Sequence, residues 1–85
     1  MAESAPFRLY GRVGCHLCDD MVLSLTELGP GLSPDFRFIF IDVDRRPELA
    51  ERYGPSVPVL VAPDGAELCE YFLNLSALQA RLAGL

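Results

Sequence analysis

A chain of 85 residues can bury one sizeable hydrophobic core, so residues 1–85 are expected to form a single domain. About half of the residues (51%) are apolar, and glycine and proline are scattered, which excludes a disordered or low-complexity chain. The net charge is −5 and all seven basic residues are arginine, so no basic stripe exists to hold nucleic acid or an anionic membrane surface.

The stretch "FRLY", Phe7 to Tyr10, reads as a short apolar strand, ended by Gly11 and followed by a loop through Gly14. From Cys18 onward Met21, Val22, Leu25 and Leu28 recur at helical spacing, and Gly29-Pro30-Gly31 is expected to stop that helix. "FRFIFIDV", Phe36 to Val43, is almost continuously apolar, and is expected to be a buried central strand parallel to the first. In "RPELAERYG" Pro47 suits the first turn of a second helix and Gly54 its carboxyl-terminal cap. "VPVLVAPDGAELCEYFL" then predicts a hairpin turning at Pro63-Asp64-Gly65. Asn74 can cap a last helix that carries Leu75, Leu78 and Leu82. The resulting order is β-α-β-α-β-β-α.

No apolar stretch is long enough to span a bilayer, and the amino terminus "MAESAPFRLYG" lacks the pattern of a secretory signal. Three cysteines fit a disulfide-stapled secreted scaffold poorly, so a reducing cytoplasmic setting is expected. In that setting a close cysteine pair points to redox chemistry or metal.

The pair is Cys15 and Cys18, in "GRVGCHLCDDM". Cys15 opens the helix, where backbone N–H groups lack intrahelical acceptors, and such a position favours the thiolate that attacks disulfides. Cys18, almost one turn later, continues into the apolar stripe and should be less exposed. Cys15 is therefore expected to attack, and Cys18 to resolve the mixed disulfide. A protonated His16 and Arg12 would favour the Cys15 thiolate, whereas Asp19 and Asp20 oppose it, and a moderate net effect is expected. A lone C-x-x-C is also half of a zinc site. The remaining candidate ligands are Cys69, far away in the hairpin, and His16 between the cysteines, so no metal site is expected. Cys69 reads as a small hydrophobe in the last strand, Arg45 and Arg46 as a solvated turn, and Tyr53 as packing on the sheet.

"FRLYGRVGCHLC", "IDVDRRPELAERYG" and "SVPVLVAPDG" together resemble the glutaredoxin-like branch of the thioredoxin superfamily, in the same order and spacing, from Phe7 to about Leu82. The resemblance implies the α/β thioredoxin fold: a four-stranded mixed sheet, strand order 2-1-3-4, with helices on both faces. It also implies a cis Val57-Pro58 bond facing the cysteines, with the Val57 backbone bonding an extended substrate. Arg12 is a candidate anchor for a substrate carboxylate, and His16 a tuning residue. The implied activity is reduction of protein or small-molecule disulfides through a Cys15 mixed disulfide resolved by Cys18, with no bound cofactor and with recharging by the thioredoxin system or glutathione; a monomer is expected. Two features depart from the family. His16 and Leu17 replace the usual Pro and Tyr between the cysteines. "EYFLNLSAL" replaces the Gly-Gly-x-Asp-Asp segment that cradles glutathione, so glutathione is expected to serve poorly. An iron–sulfur or metal-binding module, and an adaptor without turnover, are the alternatives on the same fold.

Overall fold

The computed structural model describes residues 5–84. Residues 1–4, part of the amino-terminal stretch read above for a secretory signal, and Leu85, within the expected domain 1–85, lie outside the described residues. The elements run β1 (Phe7–Gly11), α1 (His16–Leu32), β2 (Phe38–Asp42), α2 (Pro47–Tyr53), β3 (Val59–Val61), β4 (Glu67–Glu70) and α3 (Leu75–Ala83). Short 3₁₀ turns at Val43–Arg45 and Gly54–Ser56 flank α2. The sheet order is β2-β1-β3-β4, with β1 and β2 parallel and the pairs β1/β3 and β3/β4 antiparallel. This is the mixed four-stranded α/β architecture that the resemblance implies.

The alternation of β1 and β3 builds two cores, one on each face of the sheet. Phe7 and Leu9 join Leu60 and Ala62 against Met21 and Leu25 of α1 and Leu78 of α3. Tyr10, Val59 and Val61 turn to the other face and meet Val43 and Tyr53, with Leu49 of α2 beside them. Tyr10 and Tyr53 stack there at 4.0 Å between ring centroids, tilted by 12°. Pro47 stands at the start of α2 and Gly54 at its cap, and the Asn74 side chain accepts the Ala77 N–H at 3.0 Å to start α3.

Two expectations need correction. The segment Phe36–Val43 is not a buried central strand: β2 is the sheet edge, and Ile39 and Phe40 are exposed. Its run of apolar residues serves several contacts, Phe36 and Phe38 joining the α1 side and Ile41 the α2 side, which leaves the middle of the strand at the rim. The first helix also does not stop at Gly29-Pro30-Gly31 but runs through them to Leu32. Gly29 is buried because the Phe36 ring lies where its side chain would be, and the Ser33 N–H closes the helix on the Gly29 carbonyl at 3.0 Å. Leu28, counted above in the apolar stripe, is exposed.

Candidate active site

β1 ends at Gly11, and the four residues after it make the turn that sets the first cysteine. Gly14 has φ +81°, a left-handed conformation that glycine adopts without steric cost, and Cys15 follows as the residue capping α1. The Cys15 N–H reaches back to the Arg12 carbonyl at 3.4 Å, and the Cys15 carbonyl accepts the Asp19 N–H at 3.0 Å, the first bond of the helix. The Cys15 Sγ accepts the Cys18 N–H at 3.2 Å. A sulfur thus takes the place that a serine or aspartate oxygen holds at an ordinary helix start.

Cys15 is partly exposed and Cys18 is fully buried; both are free thiols. Burial, and then the hydrogen bond with Cys15, push the Cys18 thiol up to about 11. Gly11 makes room for this sulfur: a side chain there would come within 3.1 Å of Cys18 Sγ and would meet the Phe40 ring. The Val57-Pro58 bond is cis, and Pro58 is buried. In the β1/β3 register Tyr10 pairs with Val59, so one further step sets Pro58 across from Gly11, on which Cys18 rests. The cysteines and Val57-Pro58 therefore share one end of the sheet.

Arg12 is placed differently from a free carboxylate anchor. Its Nε donates to both oxygens of Asp44, at 3.2 and 3.0 Å, and its Nη1 donates to the Gly54 carbonyl at 3.2 Å. The bond to Asp44, then its charge, holds the guanidinium more firmly protonated, with smaller contributions from Asp42 and the Cys15 sulfur. Asp44 itself is set by its N–H, which donates to Asp42 Oδ1 at 2.9 Å. His16 lies outside this cluster. Its ring is exposed and stands 3.5 Å from Asp20 on the next turn. Cys69 is half-buried in β4 against the α1-side core, and burial pushes its thiol up. Among the described residues no group of three or more His, Cys, Asp or Glu comes together as a metal site.

A family model for the glutaredoxin-like domain (DUF836) matches residues 7–83. The chain belongs to that family. No curated protein matches it. An X-ray structure of a protein from X. campestris is 34% identical, with a TM-score of 0.73 and coverage of 93% of this chain and 97% of that one. A solution structure of a protein from Nitrosomonas europaea is also 34% identical, with a TM-score of 0.74 and coverage of 95% and 94%. Mitochondrial thioredoxin 3 from Saccharomyces cerevisiae, in its oxidized form, is 26% identical, with a TM-score of 0.61 and coverage of 93% and 76%. A glutaredoxin-like thioredoxin fold with a cysteine pair at the start of α1 supports a redox role.

Three participants were not visible as such in the sequence. Asp44 fixes Arg12, the Gly54 carbonyl receives it, and Tyr71 donates its phenol to the Pro55 carbonyl at 3.0 Å. The Asp-x-Asp at the end of β2 was the available signal for the first. Tyr71 carried no comparable signal, because its role depends on where the residues before β3 come to lie. No helix among the described residues is long and apolar enough to cross a membrane.

Proposed function

We propose that this protein is a dithiol–disulfide oxidoreductase acting on protein or mixed disulfides. The observation that carries the reading is the asymmetry of the pair: Cys15 is partly exposed and its sulfur accepts a backbone N–H, whereas Cys18 lies buried one turn behind it. The Cys15 thiolate attacks one sulfur of a substrate disulfide. That bond breaks, the second substrate sulfur leaves as a thiolate and takes a proton, and Cys15 is joined to the first. The Cys18 thiol then loses its proton and attacks Cys15 Sγ. The substrate thiolate is released, two electrons have passed to the substrate, and a Cys15–Cys18 disulfide remains. An external dithiol reverses that oxidation. The redox couple itself needs no bound cofactor.

The substrate side of the reading rests on Val57, whose backbone is suited to bonding an extended chain in the manner of an added strand. Glutathione fits less well. The backbone N–H groups of Tyr71 and Phe72, which stand where the family's cradle would be, are engaged by Pro58 and Glu70 carbonyls at 2.9 and 2.7 Å. Asn74 already caps α3, and Tyr71, Phe72 and Leu73 meet Leu17, Asp20, Met21 and Ser24 of α1 around a cleft of about 140 Å³. We therefore assign recharging to a dithiol donor such as the thioredoxin system, in a reducing cytoplasm, and read the chain as one monomeric domain.

The test is a trap. Cys18→Ser should leave a long-lived mixed disulfide between Cys15 and a disulfide-bearing protein, released by dithiothreitol and seen by mass spectrometry. Failure of Cys18→Ser to form any adduct, with the fold intact by circular dichroism, would end the oxidoreductase reading.

A further inference from the structure

The turn that leads into β3 is gripped from two directions. On the side of the cysteines, Arg12 donates to the Gly54 carbonyl at 3.2 Å and is itself anchored on Asp44. A second residue makes two bonds: the Tyr71 phenol donates to the Pro55 carbonyl at 3.0 Å, and the Tyr71 N–H donates to the Pro58 carbonyl at 2.9 Å. Only Ser56 and Val57 lie between those acceptors. Tyr71 closes the Pro55–Pro58 segment at both of its ends.

The backbone of Tyr71 bears the mark of that arrangement. Its φ is +65°, a left-handed value that bulky side chains seldom adopt, and it is the sole non-glycine residue among those described with a positive φ. Such conformations persist where the surroundings over-determine them, and they gather at sites that must be held in shape. Here the surroundings are the two hydrogen bonds. The segment they hold carries Val57, the residue whose backbone the oxidoreductase reading gives to substrate. Two of the segment's carbonyls are thereby occupied, and the shape of what remains is fixed before any substrate arrives.

We propose that Tyr71 is a positioning residue for polypeptide disulfides, holding Ser56 and Val57 in the shape that an extended substrate chain docks on, with Arg12 bracing the same turn from the cysteine side. The proposal rests on the oxidoreductase reading above. It separates two substrate classes. A small disulfide needs only to reach the Cys15 sulfur, whereas a polypeptide must also find a fixed backbone edge, and fixing that edge in advance lowers the ordering cost of binding.

The experiment uses the full chain as wild type, Tyr71→Phe and Tyr71→Gly, with two substrates: a synthetic peptide holding a disulfide in an extended segment, and a small nitroaromatic disulfide. Backbone amide order parameters of Ser56 and Val57 are measured alongside by NMR. Loss of one neutral hydrogen bond should raise KM for the peptide about three- to tenfold in Tyr71→Phe, with kcat and the small-disulfide rate little changed. Order parameters at Ser56 and Val57 should fall while those of β1 and β3 hold. Tyr71→Gly relieves the left-handed backbone yet lacks the phenol, and it should show the same rise in KM. A wild-type KM in Tyr71→Gly would place the effect in the backbone and overturn the proposal. Unchanged order parameters in Tyr71→Phe would overturn it whatever turnover does, and so would an unchanged peptide KM. A wild-type protein that reacts with neither disulfide would remove the oxidoreductase reading and the substrate role with it, while the order parameters would still decide whether the phenol holds the turn.

Discussion

The two ends of α1 are held by different physics. At its start Cys15 caps the helix with its own sulfur, three residues from the N–H it accepts, after a glycine whose φ of +81° sets the entry. At its far end Gly29, Pro30 and Gly31 stay helical although each is a poor helix former, because Phe36 returns from beyond the helix and packs its ring on Gly29. The first end is made by neighbours in sequence, the second by a tertiary contact that overrides propensity. The lesson is about what each end can tolerate. A capping sulfur can be exchanged for an oxygen with little harm to the helix but not to sulfur chemistry, whereas a packed glycine carries stability and no chemistry.

The largest expected effect tests the start. Serine is a good capping residue, so Cys15→Ser should keep the fold while disulfide exchange falls below detection, since a hydroxyl cannot replace the attacking thiolate. Cys69→Ser should leave exchange nearly intact, because Cys69 is half-buried in β4 against the α1-side core and that burial raises its thiol. Mass-spectrometric detection of adducts on each variant checks both. An adduct that survives Cys15→Ser and disappears in Cys69→Ser would reverse the comparison.

The second effect also lies at the start and depends on pH. Burial raises the Cys18 thiol from 9.0 to about 11 in the native state. Between those values the unfolded chain has lost this proton and the native protein still holds it, so the unfolded state binds fewer protons and stability must fall as pH rises. The contribution is fully present below about pH 9 and gone above about pH 11, with a slope of at most about 1.4 kcal/mol per pH unit. Urea unfolding of the reduced protein across this window should show the decline, and Cys18→Ala should lessen it, leaving the smaller part that the half-buried Cys69 thiol contributes. A slope unaltered by Cys18→Ala would mean that the sulfur is less shielded than its position indicates.

The third effect belongs to the far end. A methyl group on Gly29 would overlap the Phe36 ring, and that ring is not free to retreat: it lies 5.1 Å from Phe7 and 6.1 Å from Phe38, centroid to centroid. Gly29→Ala should therefore destabilise by about 1–3 kcal/mol, the usual cost of overpacking, with no effect on the rate of adduct formation at Cys15. A shift in the urea midpoint measures it.

The same division explains what could be read from the sequence. Pro47 at the head of α2, Gly54 at its end, Asn74 at the head of α3 and the Pro63-Asp64-Gly65 turn act within a few residues of themselves, and each is found as expected. So is the C-x-x-C turn, with Cys15 partly exposed and Cys18 buried. What local pattern could not carry was distance. Arg12 meets Asp44 across 32 positions and Tyr71 meets Pro55 across 16, and neither contact is announced by residues near it in the chain. The edge position of β2 was hidden for the same reason, since its apolar residues satisfy two separate cores and leave Ile39 and Phe40 between them.

The smallest effect has the opposite sign and is the sharpest test of the far end. Gly31 is two residues from Gly29, in the same helix and beside the same proline, but a side chain added there would meet nothing within 4 Å. Its backbone is not left-handed, so alanine can adopt it without strain. Replacing glycine by alanine in such a place removes unfolded-state entropy and exposes less backbone, and Gly31→Ala should stabilise by about 0.4–1 kcal/mol. Paired urea unfolding of Gly29→Ala and Gly31→Ala thus reads tertiary contact against intrinsic propensity at nearly one point of the chain. If both substitutions destabilised alike, the helix end would need glycine for its backbone freedom, and the Phe36 ring would not be what keeps Gly29 in place. If both stabilised, the ring would be yielding, and the packing argument for the length of α1 would fall.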